Sequence, residues 1–225
     1  MSKWNSLCDL LEPLKNFPED KPLLAHRQGS KWIFWTAEDF LSNITKLASF
    51  LNENSIQKGD RVGIFGNSSP YWLMADFAIL SLGAVSVPFL PNISQEHFNY
   101  QLSQAKLKTL FVLEINRWQR VSSEIDKIPK IISRQTPKQF STNNKVYNFK
   151  DILEEEHLPP PPLTKISCND LACIIFTSGS SGTPKGVMLS HDNLLSQVES
   201  SAHCFPLISH EHKALSVLPI AHVFE

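Results

Sequence analysis

An α/β fold with a mostly parallel sheet and helices on both faces is what this sequence predicts, and three observations carry the prediction. Short apolar runs at residues 61–65, 84–88 and 108–113 are separated by stretches with helix starts and helix lengths, the alternation that marks βαβ units. A chain of 225 residues with 42% hydrophobic and 19% charged side chains is long and apolar enough to bury a sizeable core. A further apolar run, residues 171–176, stops abruptly at Thr, Ser and Gly, as a buried strand does and a helix does not.

The elements follow in order. Leu7, Leu10, Leu11 and Leu14 recur at helical spacing, so the first turns read as an amphipathic helix ending near Pro18. Residues 23–27 and 31–35 flank Gln28-Gly29-Ser30, a hairpin signal. Thr36 with Asp39 reads as a capping box opening a helix whose one face carries Phe40, Ile44, Leu47, Ala48 and Leu51. Lys58-Gly59-Asp60 turns the chain into the strand at 61–65, and Asn67-Ser68-Ser69-Pro70 starts a helix with Pro at the first position, stopping at Gly83.

Ser94 caps the next helix, and Trp118, Val121, Ile125 and Ile128 suggest another, leading to a short strand at Ile131-Ile132. Residues 133–145 read as a surface loop and 147–156 as a short helix. Four prolines, Pro159 to Pro162, make residues 157–165 a stiff extended connector. Ser190 or Asp192 can cap a helix through Leu194, Leu195 and Val198, and residues 214–218 are expected to form the last strand.

Charge and cysteine usage exclude several functions. The net charge is -1, from 21 basic and 22 acidic side chains, so no global field recruits nucleic acid. Cys8, Cys168, Cys173 and Cys204 form no C-x-x-C pair and no zinc spacing, and His203, His210 and His212 lack supporting carboxylates or cysteines, so no metal site is expected. Asp9 and Glu12 interrupt what a signal peptide keeps apolar. Asp76, Gly83 and Pro88 break the most membrane-like window, which a helix followed by a strand explains better.

The chemistry-bearing stretch is Thr177-Ser178-Gly179-Ser180-Ser181-Gly182-Thr183-Pro184-Lys185-Gly186, set between the run at 171–176 and a second strand pattern at Val187-Met188-Leu189. Such a hairpin has an oversized polar tip. Its glycines let backbone N–H groups ring an anion, its five hydroxyls add donors, and Lys185 adds a mobile charge of the kind used on phosphates. Its spacing is neither that of a Walker P-loop nor of a dinucleotide fingerprint.

The run from Ile174 to Lys185 resembles the AMP-binding signature of the acyl-adenylate-forming enzymes, the superfamily of acyl-CoA synthetases, firefly luciferase and peptide-synthetase adenylation domains. A second block, Leu218-Pro219-Ile220-Ala221-His222-Val223-Phe224-Glu225, is similar to the Leu-Pro-x-x-His-x-Phe-Glu block of the long-chain fatty acyl-CoA synthetase branch. The resemblance implies the N-terminal lobe of the acyl-CoA synthetase/luciferase-like fold over residues 1–225. It implies an ATP-dependent ligase that turns a fatty acid into an acyl-adenylate and then a thioester of coenzyme A or of an acyl-carrier protein.

In that reading Thr177, Ser178, Gly179, Ser180, Ser181, Gly182 and Thr183 surround the ATP phosphates, Lys185 follows the departing pyrophosphate, and His222 stands beside the acyl carboxylate and the nucleotide. The family's Mg²⁺ and ribose ligands and its C-terminal domain lie beyond the block that ends at Glu225. The resemblance therefore implies a fragment, a truncated reading frame or one half of an enzyme split with a second polypeptide, inactive alone. A non-catalytic phosphate-binding lobe is the alternative. A cytoplasmic location, with at most a peripheral membrane contact, completes the expectation.

Overall fold

The computed structural model of the chain describes residues 4–140, 143, 145–156, 158–178, 184–204 and 211–221. A 3-10 helix, Leu7–Asn16, leads into β1 (Leu24–Gln28), β2 (Lys31–Trp35), α1 (Ala37–Glu53), β3 (Arg61–Phe65) and α2 (Pro70–Ser81). Then come β4 (Val85–Phe89), α3 (Gln95–Ala105), β5 (Thr109–Val112), α4 (Trp118–Val121), β6 (Ile131–Ser133), β7 (Val146–Asn148) and α5 (Phe149–Glu154). The chain closes with β8 (Leu171–Ser178), β9 (Pro184–Ser190) and α6 (His191–Cys204).

Helix starts follow the capping residues the sequence offers. Thr36 Oγ1 accepts from the Asp39 N–H at 3.0 Å while the Asp39 carboxylate accepts from the Thr36 N–H at 3.2 Å, a reciprocal capping box. Ser69 accepts from the Trp72 N–H and Pro70 takes the first helical position of α2. Gly83, with φ of +66°, sits just past the end of α2 in the left-handed region that a side chain would strain. Helix α6 is capped by Ser190, whose Oγ accepts from the Asn193 N–H.

Strands β3–β9 form a seven-stranded sheet in the order β7-β6-β5-β3-β4-β8-β9, parallel throughout except for the β8–β9 pair at one edge. Alternate residues of each strand point to opposite faces. On one face Val62, Ile64, Phe111 and Ile132 pack under α1 and α2 with Leu47, Leu51, Trp72 and Ile79. On the other Phe65, Val87, Leu110, Val112 and Ile131 pack with Phe98, Leu102 and Trp118. Covering Phe40, Ile44, Leu47 and Leu51 of α1 contributes up to roughly 6–12 kcal/mol of transfer free energy.

Several expectations are corrected. The expected N-terminal helix forms over Leu7–Asn16 as a 3-10 helix with Pro13 inside it. The helix expected after Ile115 breaks into short 3-10 and α pieces. Residues 133–145 include a 3-10 turn, Lys138–Phe140, whose Phe140 ring stacks on Trp118 at 4.9 Å. Residues 146–148 form β7 before α5 begins, because Ile131 to Ser133 offer a free ladder edge. The strand expected at 214–218 joins neither sheet: Leu215 and Val217 are 80% and 75% exposed, and strand-like alternation without a ladder to join makes no strand.

Candidate functional site

Strand β8 runs parallel to β4, with Ser86 opposite Cys173, so it ends at the same edge of the sheet as β3, β4 and β5. The carboxyl edge of an open α/β sheet is where such folds bind ligands. Strand β9 returns antiparallel, pairing Thr177 with Lys185 and Ser178 with Pro184. That last rung holds Ser178 and Pro184, the residues that flank segment 179–183, roughly 5 Å apart.

The predicted site residues are therefore divided. Thr177 and Lys185 sit opposite one another at the end of the ladder, both exposed, and no described carboxylate pairs with Lys185. Ser178 ends β8 beside them. Gly179, Ser180, Ser181, Gly182, Thr183 and His222 lie outside the described residues. Gly186 has a packing role: a Cβ there would lie 3.0 Å from Ile174 Cγ2 and 3.5 Å from the Phe176 ring.

The start of the second block is anchored at the same carboxyl edge. Ser68, just after β3, donates from Oγ to the Leu218 carbonyl at 3.0 Å and accepts from the Ile220 N–H at 2.9 Å. Ala221 is buried against the α1–α2 side of the core. Residues 150 positions apart in sequence thus meet where β3 ends. Sequence reading assigned Ser68 only to a helix start, since nothing local names its distant partner.

A second feature missed in the sequence is a clip over the strand ends. Arg117, 7% exposed, donates from Nη1 to the Pro91 carbonyl at 2.6 Å, from Nη2 to Asn67 Oδ1 at 2.7 Å and from Nε to Glu114 Oε2 at 3.3 Å. The Glu114 carboxylate also accepts from the Asn67 N–H at 3.1 Å. One guanidinium therefore ties together the segments that follow β3, β4 and β5. Two of its partners, Asn67 and Glu114, follow β3 and β5, the neighbours between which the strand order reverses.

The base of the hairpin is held from the N-terminal segment. His191 is fully buried and its Nδ1 accepts from the Leu7 N–H at 3.2 Å. Burial holds its imidazole below the ordinary value, which keeps it neutral and able to accept. Asp170, whose carbonyl accepts from the His191 N–H, is held below the usual carboxylate range by hydrogen bonds from Lys58 and the Ser167 N–H. Between α2, β8 and the first 3-10 helix, burial raises the Asp76 carboxyl to about 6, with Ser86 acting in the opposite direction. Burial and the nearby Asp76 carboxylate push the Cys8 and Cys173 thiols to about 12, so neither is a nucleophile at neutral pH.

A cleft of about 490 Å³ lies at the opposite edge of the sheet, between α1 and the β7–α5 segment, and is lined by Glu53, Asp151 and Glu155 among others. Its acidic lining suits no polyphosphate. Among the described residues no group of three or more His, Cys, Asp or Glu could hold a metal ion, and no helix is long and apolar enough to cross a membrane.

A profile of the AMP-binding enzyme family matches residues 12–225. The chain is 28% identical to the long-chain-fatty-acid–CoA ligase ACSBG2 of Homo sapiens over 211 residues, covering 90% of this chain and 31% of that protein. It is 30% identical to fatty acyl-CoA synthetase A of Dictyostelium discoideum, covering 93% of this chain and 32% of that one. In structure it is similar to a long-chain-fatty-acid-CoA ligase from Archaeoglobus fulgidus, with a TM-score of 0.81, 20% identity, and coverage of 99% of this chain and 44% of that one. The chain spans about a third of the length of these curated relatives.

Proposed function

The chain belongs to the AMP-binding enzyme family, and on that footing we propose that residues 1–225 are the N-terminal part of an adenylate-forming domain that activates a fatty acid with ATP. A carboxylate cannot expel oxide, so activation begins when a carboxylate oxygen attacks the α-phosphorus of ATP and the bond to the β-phosphate bridge breaks, releasing pyrophosphate. The thiol of coenzyme A then attacks the acyl carbonyl, the bond to AMP breaks, and the thiol proton is lost. Both steps concentrate charge on phosphate oxygens. Positioning and electrostatic stabilisation of that charge supply most of the catalysis.

The observation that carries the reading is the β8–β9 ladder, which pairs Thr177 with Lys185 at the carboxyl edge and spans the hydroxyl- and glycine-rich segment 179–183. The hydroxyls of Thr177, Ser178, Ser180, Ser181 and Thr183, with the N–H groups around Gly179 and Gly182, bind the phosphates. Lys185 Nζ follows the leaving pyrophosphate. His222, next to the Ala221 that packs near β3, stands beside the acyl carboxylate. Mg²⁺, which would neutralise phosphate charge, is assigned no ligand among the described residues.

The test is acyl-thioester formation and AMP release with ATP, Mg²⁺, palmitate and coenzyme A. The 225-residue chain, which spans about a third of its relatives' length, is expected to release no AMP above a Lys185→Ala control, because binding energy from remote parts of the substrate is what positions its reacting centre. A polypeptide joining these residues to the remaining length of the relatives is expected to form palmitoyl-CoA. Absence of Lys185-dependent pyrophosphate exchange in that longer polypeptide would overturn the reading.

A further inference from the structure

We propose that Ser68 is a positioning residue for the reaction: its hydroxyl sets where the second block enters the protein, and through that block it acts on His222. The proposal deepens the ligase reading and rests on it. No hydrogen bond joins Ser68 to β8 or β9 among the described residues, so its action is separate from that of the phosphate hairpin.

The Ser68 hydroxyl is not needed where it stands in sequence. Its neighbour Ser69 is the N-cap of α2 and accepts from the Trp72 N–H at 3.3 Å, so the helix starts without Ser68. Ser68 Oγ instead donates to the Leu218 carbonyl at 3.0 Å and accepts from the Ile220 N–H at 2.9 Å. A hydroxyl can do both at once, which neither a carboxylate nor an ammonium can. The two bonds bracket Pro219, whose ring already fixes its own φ and which has no N–H to be satisfied.

The arm that carries this hydroxyl is held on both sides. Before it, the Asn67 N–H donates to the Glu114 carboxylate at 3.1 Å and Asn67 Oδ1 accepts from Arg117 Nη2 at 2.7 Å. After it, Ser69 is tied into the first turn of α2. Burial of the second block changes at the same point. Residues 211–219 are exposed, Ile220 is half-buried, and Ala221 is buried in the α1–α2 side of the core. The chain therefore passes from solvent into the protein at the Ser68 contact, and His222 is the next residue. A displacement of about 1 Å at a reacting group costs on the order of 100-fold in rate, so a fixed entry point bears directly on turnover.

The test compares Ser68→Ala with Ser68→Thr in the polypeptide that joins these residues to the remaining length of the relatives. Ser68→Ala is expected to lower kcat for palmitate-dependent pyrophosphate exchange roughly 10-fold and to leave the KM for ATP within about twofold, because the phosphate contacts belong to the separate hairpin. Ser68 is exposed, so Ser68→Thr has room to keep the hydroxyl and is expected to restore most of the rate. In a His222→Ala background, Ser68→Ala is expected to cost less than about twofold more, since both changes then remove one effect. In the 225-residue chain, hydrogen exchange at the Ile220 amide should quicken roughly fivefold or more in Ser68→Ala and stay near the parent's in Ser68→Thr.

Three kinetic results overturn the proposal and leave the ligase reading standing: Ser68→Ala as active as the parent, Ser68→Thr no better than Ser68→Ala, or the full loss persisting in the His222→Ala background. A KM for ATP that rises in step with the fall in kcat also overturns it, since that marks general damage to the fold. Unchanged exchange at Ile220 in Ser68→Ala shows that the hydroxyl does not hold the block, and is equally fatal. A parent polypeptide with no pyrophosphate exchange overturns the ligase reading itself, and this proposal with it.

Discussion

Replacing Arg117 by Met keeps most of the aliphatic stem and removes the donors that join three strand ends. Two of the lost bonds are short, 2.6 Å to the Pro91 carbonyl and 2.7 Å to Asn67 Oδ1, and the third, to Glu114, is long at 3.3 Å. A hydrogen bond from a charged donor contributes roughly 1.5–3 kcal/mol. Asn67 is exposed and recovers water, and Glu114 keeps the Asn67 N–H, so only the Pro91 carbonyl is left poorly satisfied. The expected loss is about 3 kcal/mol, the low end of the range for breaking a buried ion pair. Urea unfolding followed by tryptophan emission reads it directly, and with a slope of about 3 kcal/mol per molar the midpoint falls by about 1 M. Equilibrium loss below about 1 kcal/mol would mean that the strand ends hold together without Arg117, and the clip would not be what fixes the carboxyl edge.

Lys185→Ala, in a polypeptide that carries the activity, is expected to slow pyrophosphate exchange roughly 10- to 1000-fold, while the melting temperature of the chain stays near the parent's because the side chain is exposed. Ser68→Ala removes both bonds to the second block. Hydrogen exchange at the Ile220 amide should then quicken roughly fivefold or more, with a global change of no more than about 1 kcal/mol. Asp76 has a native value, about 6, above its ordinary 3.8. Its contribution to stability is therefore full below about pH 4 and is lost as pH rises through about 6. Asp76→Asn should flatten that fall and stabilise the chain at pH 8 by roughly 1–3 kcal/mol in thermal melts; equal slopes in parent and variant would refute the burial argument.

Local signals were legible without coordinates because each depends on residues within a turn or two of one another. The Thr36–Asp39 box, the Ser69-Pro70 start, the Ser94 cap and the stripe from Phe40 to Leu51 all appear as read. So do the Gly29 hairpin and the two strands flanking the glycine-rich loop. Errors fell where local pattern and available partners disagreed. Residues 146–148 are too short a run to stand out in the sequence yet join the edge that β6 presents, whereas residues 214–218 alternate like a strand and join no sheet.

The sequence by itself determined the α/β class, most element positions and the two strands that flank the glycine-rich segment 179–183, because caps, turns and hydrophobic period act between near neighbours. Only the tertiary structure decided the order β7-β6-β5-β3-β4-β8-β9, which brings the hairpin to the carboxyl edge. It also brought Ser68 to Leu218 and Ile220, Arg117 to Asn67 and Pro91, and Leu7 to His191. Such contacts span from 26 to 184 residues. Their free energy appears only after the intervening loops have closed and the sheet has assembled, so no short window of sequence contains it.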